Sequence, residues 1–299
     1  MFKFQREQRI LEVGTIKMGG QPGELPTVLI GSLFHVGHKI VKDRRTGIFD
    51  KGGAEHLIKV QEEMSEKTGV PCMLDIVGDN SESLIRHIDF VSDVTDMPFL
   101  VNGPNMSTRI AATEHAVKSG LGDRAIYTSI NYTIRNGEIE GIKGTGVKAA
   151  IIQAFNPRNP NPQGMIPMLK ELLQAASRAE IEKPLLLMPV LDVPSIGTGA
   201  QGIHLAKQEF GLPTGTAPIG VVGQWSKVRD LGEHARKSCR ASAAALTQAM
   251  GANFMIYGSV AKAREIFPAW AMIDAIVAYN ARSFGVKPLT KDHPLYKIF

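Results

Sequence analysis

Eight short apolar runs recur along this chain, each followed by a polar segment, and that beat limits the possible folds more than any other feature. The runs are Thr27–Leu33, Cys72–Val77, Pro98–Asn102, Ala125–Ile130, Ala149–Phe155, Pro184–Val190, Ala217–Val222 and Ala252–Tyr257. Their spacing of roughly 25 to 45 residues is the room that one strand, one helix and two loops occupy. The runs are nearly continuous rather than alternating, as strands buried on both faces of a parallel sheet must be. Between them, Gly53–Lys67 places Ala54, Leu57, Ile58, Gln61 and Met64 on one stripe, and after Ser81 the residues Leu84, Ile88 and Val91 share a face. Ser107 reads as an N-cap, and further helices are expected at Met165–Ala179, Arg236–Met250 and Arg264–Phe284. In the last of these, Trp270, Ile273, Ile276 and Val277 are expected to face inward or toward a partner protomer.

An open doubly wound sheet would satisfy the same beat, but no GxGxxG stands between a first strand and its helix, and Gly141–Gly146 reads as turns. The pattern therefore predicts an α/β fold, a single-domain (β/α)8 TIM barrel over residues 1–299. Residues 1–25 read as an N-terminal hairpin turning near Gly19-Gly20 and Pro22-Gly23, placed to close the bottom of the barrel. Residues 287–299, with two prolines, read as an extended C-terminal arm.

The hydrophobic fraction of 43% supplies a large core. No apolar run reaches the ~18 residues that a membrane helix needs. Met1–Arg9 is charged, without the apolar stretch of a secretory signal, so a cytoplasmic protein is expected. Cys72 and Cys239 lie far apart and form no CxxC pair, which argues against a thiolate zinc site. The net charge of +5 is scattered rather than gathered with aromatics. That suits an anionic small molecule or an acidic protein partner better than nucleic acid.

Chemistry in a barrel sits at the carboxyl ends of the strands. Read in order, those ends carry Ser32; Asp75, Asp79 and Asn80; Asn102 and Asn105; Ser129 and Asn131; Gln153 and Asn156; Asp192 and Ser195; Gln224; and Ser259. The set is rich in amides, with few acids and no cluster of His, Cys or Lys. A metal hydrolase or a Schiff-base enzyme would want the reverse. Amides offer donors and acceptors together, and a carboxylate pairs with adjacent N–H groups, so the set suits the edge of a flat heterocycle such as a pterin. Asn and Asp after a strand are also ordinary turn residues, and only their concentration speaks for a site. His35 and His38 lie in a loop rather than on one helix face, so no bound metal is expected. His38-Lys39 reads as an anion contact or as part of the rim, and Trp225 as a stacking or packing residue.

Particular segments add a resemblance. These are the opening MFKFQREQ with Gly19-Gly20-Gln21-Pro22-Gly23-Glu24, then His38–Val41 followed by Gly47–Asp50, then Ser129-Ile130-Asn131, and Leu191–Gly197. Together they resemble the H subunit of the methanogen tetrahydromethanopterin S-methyltransferase and its soluble bacterial relatives, over nearly the whole chain. The chain looks most like the bacterial branch, the methylcorrinoid:tetrahydrofolate methyltransferases of glycine betaine-type demethylation. The resemblance implies a methyl group passing from a methylated corrinoid protein to tetrahydrofolate, with tetrahydromethanopterin as the alternative pterin, and a homodimer. More distantly the chain is similar to the pterin-binding barrels of dihydropteroate synthase, which hold the ring with an Asp ending strand three, an Asn ending strand four and an Asp in strand six. Here those places read Asn102, the run Thr128–Asn131, and Leu187–Pro189 with Asp192 beyond. By this resemblance Asp75, Asn102, Asn131, Asp192 and Gln224 would hold the pterin, with Asn102 and Asn131 at the reacting centre. Ser129, Gln153, Asn156 and Ser259 would line the mouth. Two other readings stay open. One is a non-catalytic scaffold that binds a corrinoid protein, and the other a pterin-forming transferase with Lys227 as its strand-seven lysine.

Overall fold

In a computed structural model that describes residues 3–299, eight parallel strands close into a barrel. Met1 and Phe2, part of the opening motif and of the expected N-terminal hairpin, lie outside the described residues. The strands are β1 (Val28–Leu33), β2 (Cys72–Val77), β3 (Phe99–Asn102), β4 (Ala125–Ile130), β5 (Ala149–Gln153), β6 (Lys183–Met188), β7 (Thr214–Thr216) and β8 (Phe254–Ser259). They pair in chain order, and β8 returns to β1. The seventh strand corrects the sequence reading: Ala217–Val222 is not a strand but most of a helix, Pro218–Gln224. Pro218 opens that helix, where its missing N–H costs nothing, and the apolar run after it packs as a helix face. The glycines of 141–146 likewise lie mostly in a helix, Asn136–Thr145, and only Gly146 ends it in the left-handed conformation.

Strand parity divides the core in two. Val28, Ile30, Met73, Leu100, Ile126, Ala149, Ile151, Leu185 and Phe254 point inward and pack on one another. Leu29, Leu33, Leu74, Ile76, Phe99, Val101, Tyr127, Ile152 and Met255 point outward against the helices. The helices begin where short polar side chains can satisfy their first N–H groups. Asp50 caps Lys51–Thr68, Asn80 forms a capping box with Ser83 at the head of Ser81–Val94, and Asn105, rather than Ser107, caps Met106–Lys118.

The N-terminal hairpin pairs Ile10–Val13 with Ile16–Gly19 and turns at Gly14-Thr15, earlier than Gly19-Gly20. Its Leu11, Val13 and Met18 join the inward-facing cluster and plug the amino-terminal end of the barrel. Burying each contributes about 1.5–3 kcal/mol. The C-terminal segment is not extended throughout. Pro294 starts a short helix, Pro294–Lys297, capped by the buried His293. On the last long helix, Ala263–Ala281, Trp270, Ile273 and Val277 are buried, whereas Ile276 is exposed beside Met272 and Tyr279.

Near the plugged end, Asp274 ties this helix to the start of β1. Its carboxylate accepts from Thr27 N at 2.9 Å, from Thr27 Oγ1 at 2.8 Å and from Gln248 Nε2 at 3.0 Å. Burial nonetheless outweighs these bonds and pushes the carboxyl up from 3.8 to about 7. A folded-state pKa above the unfolded one means stability that is full below 3.8 and is lost as pH rises to about 7. Urea denaturation at a series of pH values should show that fall, and Asp274→Asn should remove its share of the slope.

Candidate active site at the mouth of the barrel

The same parity that builds the apolar interior places a polar layer above it. One step beyond Ile30, Met73, Leu100 and Ile151, the inward positions are Ser32, Asp75, Asn102 and Gln153. Pairing sets Ser32 beside Asp75 in register, and Ser259 beside Ser32. Asp75 is the centre of this layer. Its Oδ2 accepts from Ser32 Oγ at 2.7 Å and its Oδ1 from Asn102 Nδ2 at 2.9 Å. Burial drives its pKa up, opposed by those two hydrogen bonds and by the charge of nearby His35. A carboxylate has about four lone-pair directions. Two are used by these partners, and the others remain for a ligand's N–H groups.

Beyond Asn102, a second polar group continues around the rim. Asn131 Nδ2 reaches Ser129 Oγ at 3.4 Å, and Ser129 Oγ reaches Gln153 Oε1 at 3.5 Å, both long contacts. Asn131 and Gln153 line a cleft of about 480 Å³ together with Arg109, Arg135 and Glu138. The peptide between Thr128 and Ser129 is cis. Beneath the cleft lies a set of charges that sequence reasoning missed. Arg109 Nη2 donates to Glu138 Oε1 at 2.6 Å, Arg109 Nε to Tyr127 Oη at 3.1 Å, and Tyr127 Oη to the same Glu138 oxygen at 2.6 Å. Arg109 Nη1 also reaches Gly103 O at 3.3 Å, the carbonyl just after Asn102. Arg109 sits inside the helix Met106–Lys118, and Glu138 lies ahead of the segment read as turns, where the sequence offered no strand end, so neither gave a positional signal.

The remaining expected residues do not join the layer. Asp192 is exposed, and its Oδ1 accepts from Ser195 N at 2.9 Å, closing a turn ahead of the helix Ser195–Phe210. That backbone bond holds its pKa below the usual carboxylate range. With Gln224 and Trp225 it lines a separate cleft of about 370 Å³. Leu187, the residue of β6 at the level of the polar layer, is apolar and pairs in register with Gln153. Asn156 spends its side chain on its own loop, accepting from Arg158 N at 3.0 Å and donating to Gly164 O at 2.9 Å. Asp79 pairs with Arg44, and Asn80 and Asn105 are the helix caps described above.

The loop after β1 borders Asp75. His38 Nδ1 accepts from Phe34 N at 3.1 Å, and its ring stacks on His35 with centroids 4.6 Å apart. Burial, then the neighbouring His35, lowers the His38 pKa to about 4, so His38 is neutral and shapes the rim. Among the described residues no group of three His, Cys, Asp or Glu side chains could hold a metal ion. Among the same residues no helix is long and apolar enough to cross a membrane.

Comparison with known proteins accords with this architecture. The H subunit of tetrahydromethanopterin S-methyltransferase from Methanothermobacter marburgensis is 36% identical over 310 residues, covering 100% of both chains. A protein of Methanosarcina barkeri, the H subunit of a putative methyltransferase named mtx, is 38% identical over 311 residues, covering 99% of each. Among solved structures, the dihydropteroate synthase of Yersinia pestis superposes with a TM-score of 0.61 at 14% identity, covering 89% of this chain and 98% of that one. At that identity the likeness speaks for the barrel alone. The family model described as Tetrahydromethanopterin S-methyltransferase MtrH subunit matches residues 6–289, and the chain belongs to that methyltransferase family.

Proposed function

We propose that this protein transfers a methyl group from methyl-Co(III) on a separate corrinoid protein to N5 of tetrahydrofolate. The observation that carries the reading is the inward layer of Ser32, Asp75 and Asn102, a buried carboxylate with free lone pairs at the open end of a closed barrel. Asp75 would accept from the pterin's ring N–H and exocyclic amine, and Asn102 would supply a donor and an acceptor beside it. Asn131, Ser129 and Gln153 would hold the edge nearer the reacting atom.

The neutral N5 lone pair attacks the methyl carbon in line as the Co–C bond breaks. Both electrons of that bond stay with cobalt, which leaves as Co(I), and N5 gives its proton to water. No strong base is needed before transfer, because N5 is already unprotonated near neutral pH. The protein's part is therefore to position the two reactants and exclude competing nucleophiles.

A second reading keeps the reaction and changes the pterin. Relatives along the full chain carry the name tetrahydromethanopterin S-methyltransferase, which favours tetrahydromethanopterin as the acceptor. One assay separates the two. Methylcobalamin is mixed with the protein and either tetrahydrofolate or tetrahydromethanopterin under reducing conditions, and cob(I)alamin is followed by its absorption. Tetrahydrofolate is expected to give the faster conversion. Conversion with tetrahydromethanopterin alone would select the second reading, and an unchanged corrinoid spectrum with both would overturn the transfer.

A further inference from the structure

Behind the ends of β7 and β8 the chain gathers cations that the mouth does not use. Lys262 ends the short turn that follows β8, and its amine lies 3.7 Å from where a Cβ on Gly258 would stand. The side chain thus folds back against the strand end. It is half-buried, and the amine makes no hydrogen bond among the described residues. Arg240, on the helix Gly232–Ala249, is buried and donates through Nη1 to both oxygens of Glu265, at 2.8 and 3.0 Å. Its Nη2 lies 3.6 Å from the Cβ position of Gly223 and has no acceptor among the described residues. Its Nε is buried without a partner, as is the Nε of Arg236 one turn earlier. Arg236 pairs with Glu233 and Arg240 with Glu265, so Lys262 is the cation left over.

Two glycines flank this notch, Gly223 and Gly258, and neither puts a side chain into it. The notch stands next to the mouth along the chain, because Ser259, paired in register with Ser32, precedes Lys262 by one turn. Burial, then the charge of Arg240 and more weakly that of Arg236, lowers the Lys262 pKa, with Glu265 opposing. A half-buried ammonium among like charges is short of an anion. The loops after the seventh and eighth strands are also where barrels most often receive phosphate groups.

We propose that Lys262 and Arg240 bind an anionic group, a carboxylate or a phosphate, carried on the tail of the pterin substrate. The tail assignment rests on the methyl-transfer reading; the anion site itself does not. Pterin binding orients the ring at Asp75, and the tail then runs over Ser259 to the notch.

The test measures affinities of tetrahydrofolate bearing three glutamates and of 6-methyltetrahydropterin, which has no tail, for the wild type, Lys262→Met and Lys262→Gln. Thermal shifts with inorganic phosphate are recorded in parallel. The wild type should prefer the triglutamate by about tenfold or more, as one charge-assisted contact predicts, and both variants should bring that preference close to one. Phosphate should raise the wild-type melting temperature and leave the variants unmoved. A phosphate response that depends on Lys262, in a protein that binds neither pterin, supports the anion site while the methyl-transfer reading falls. Pterin binding with a tail preference and phosphate response indifferent to Lys262 overturns the site and leaves the transfer standing.

Discussion

Asp75→Asn is expected to raise the melting temperature of the protein while lowering kcat/KM for methyl transfer by about 100-fold. The two effects share one cause. Asp75 is buried, and its folded-state pKa lies above the ordinary carboxylate value because burial outweighs the bonds from Ser32 and Asn102. Stability from such a group is full below its unfolded pKa and is lost as pH rises through the folded one. Once Asp75 ionises, the fold therefore carries a charge that it holds at a cost. An amide of the same shape keeps both neighbours satisfied, because Oδ1 accepts from Asn102 and Nδ2 donates to the Ser32 hydroxyl. Relief of about 1 kcal/mol would raise the melting point by roughly 2–4 °C. The pterin, in contrast, loses an ionised acceptor facing its N–H groups, and each bond to a charged group is worth about 1.5–3 kcal/mol. Calorimetry and steady-state kinetics at pH 7.5 check both halves. A variant that melts lower yet keeps full transfer would make Asp75 a structural residue instead.

Much of the barrel was legible because its signal is periodic. Parallel strands buried on both faces leave continuous apolar runs, and seven of the eight expected runs overlap the observed strands. The seventh misled because the strand itself is Thr214–Thr216, three small residues with no apolar signal, while the apolar run beside it is helical. At the strand ends the sequence could not separate two uses of the same residue types. Asn80, Asn105 and Asp192 bond to backbone N–H groups at turns and helix starts, whereas Asp75 and Asn102 face the barrel interior. Parity decides between them. Asp75 is two residues beyond the inward Met73, and Asn102 two beyond the inward Leu100, whereas the capping residues lie past the last paired position. The Arg109–Glu138 pair was hidden for another reason. Its partners lie 29 residues apart on two helices, and only the packing of those helices brings them together.

Glu138→Ala should cost about 3–5 kcal/mol of stability, the largest loss expected from any single surface-distant change around this mouth. The pair is nearly enclosed, with side-chain exposures of 10% for Arg109 and 7% for Glu138. Truncation leaves the guanidinium buried without its counter-charge and strips Tyr127 Oη of its acceptor. Removing the whole set is gentler. Arg109→Met, Tyr127→Phe and Glu138→Leu together leave only the Gly103 carbonyl without its former donor, and apolar replacements of buried ion pairs are often neutral in stability. Urea denaturation should therefore show the triple variant recovering most of what Glu138→Ala loses. Transfer activity should not recover with it. Arg109 Nη1 holds the carbonyl of Gly103, and that bond fixes the chain leaving β3 just beyond Asn102. Without it Asn102 loses its fixed approach to Asp75, and a displacement near 1 Å at a reacting centre costs about 100-fold in rate. Stability regained without activity would identify the ion pair as a positioning device for the polar layer. Full recovery of both would show that the barrel wall alone sets that layer in place.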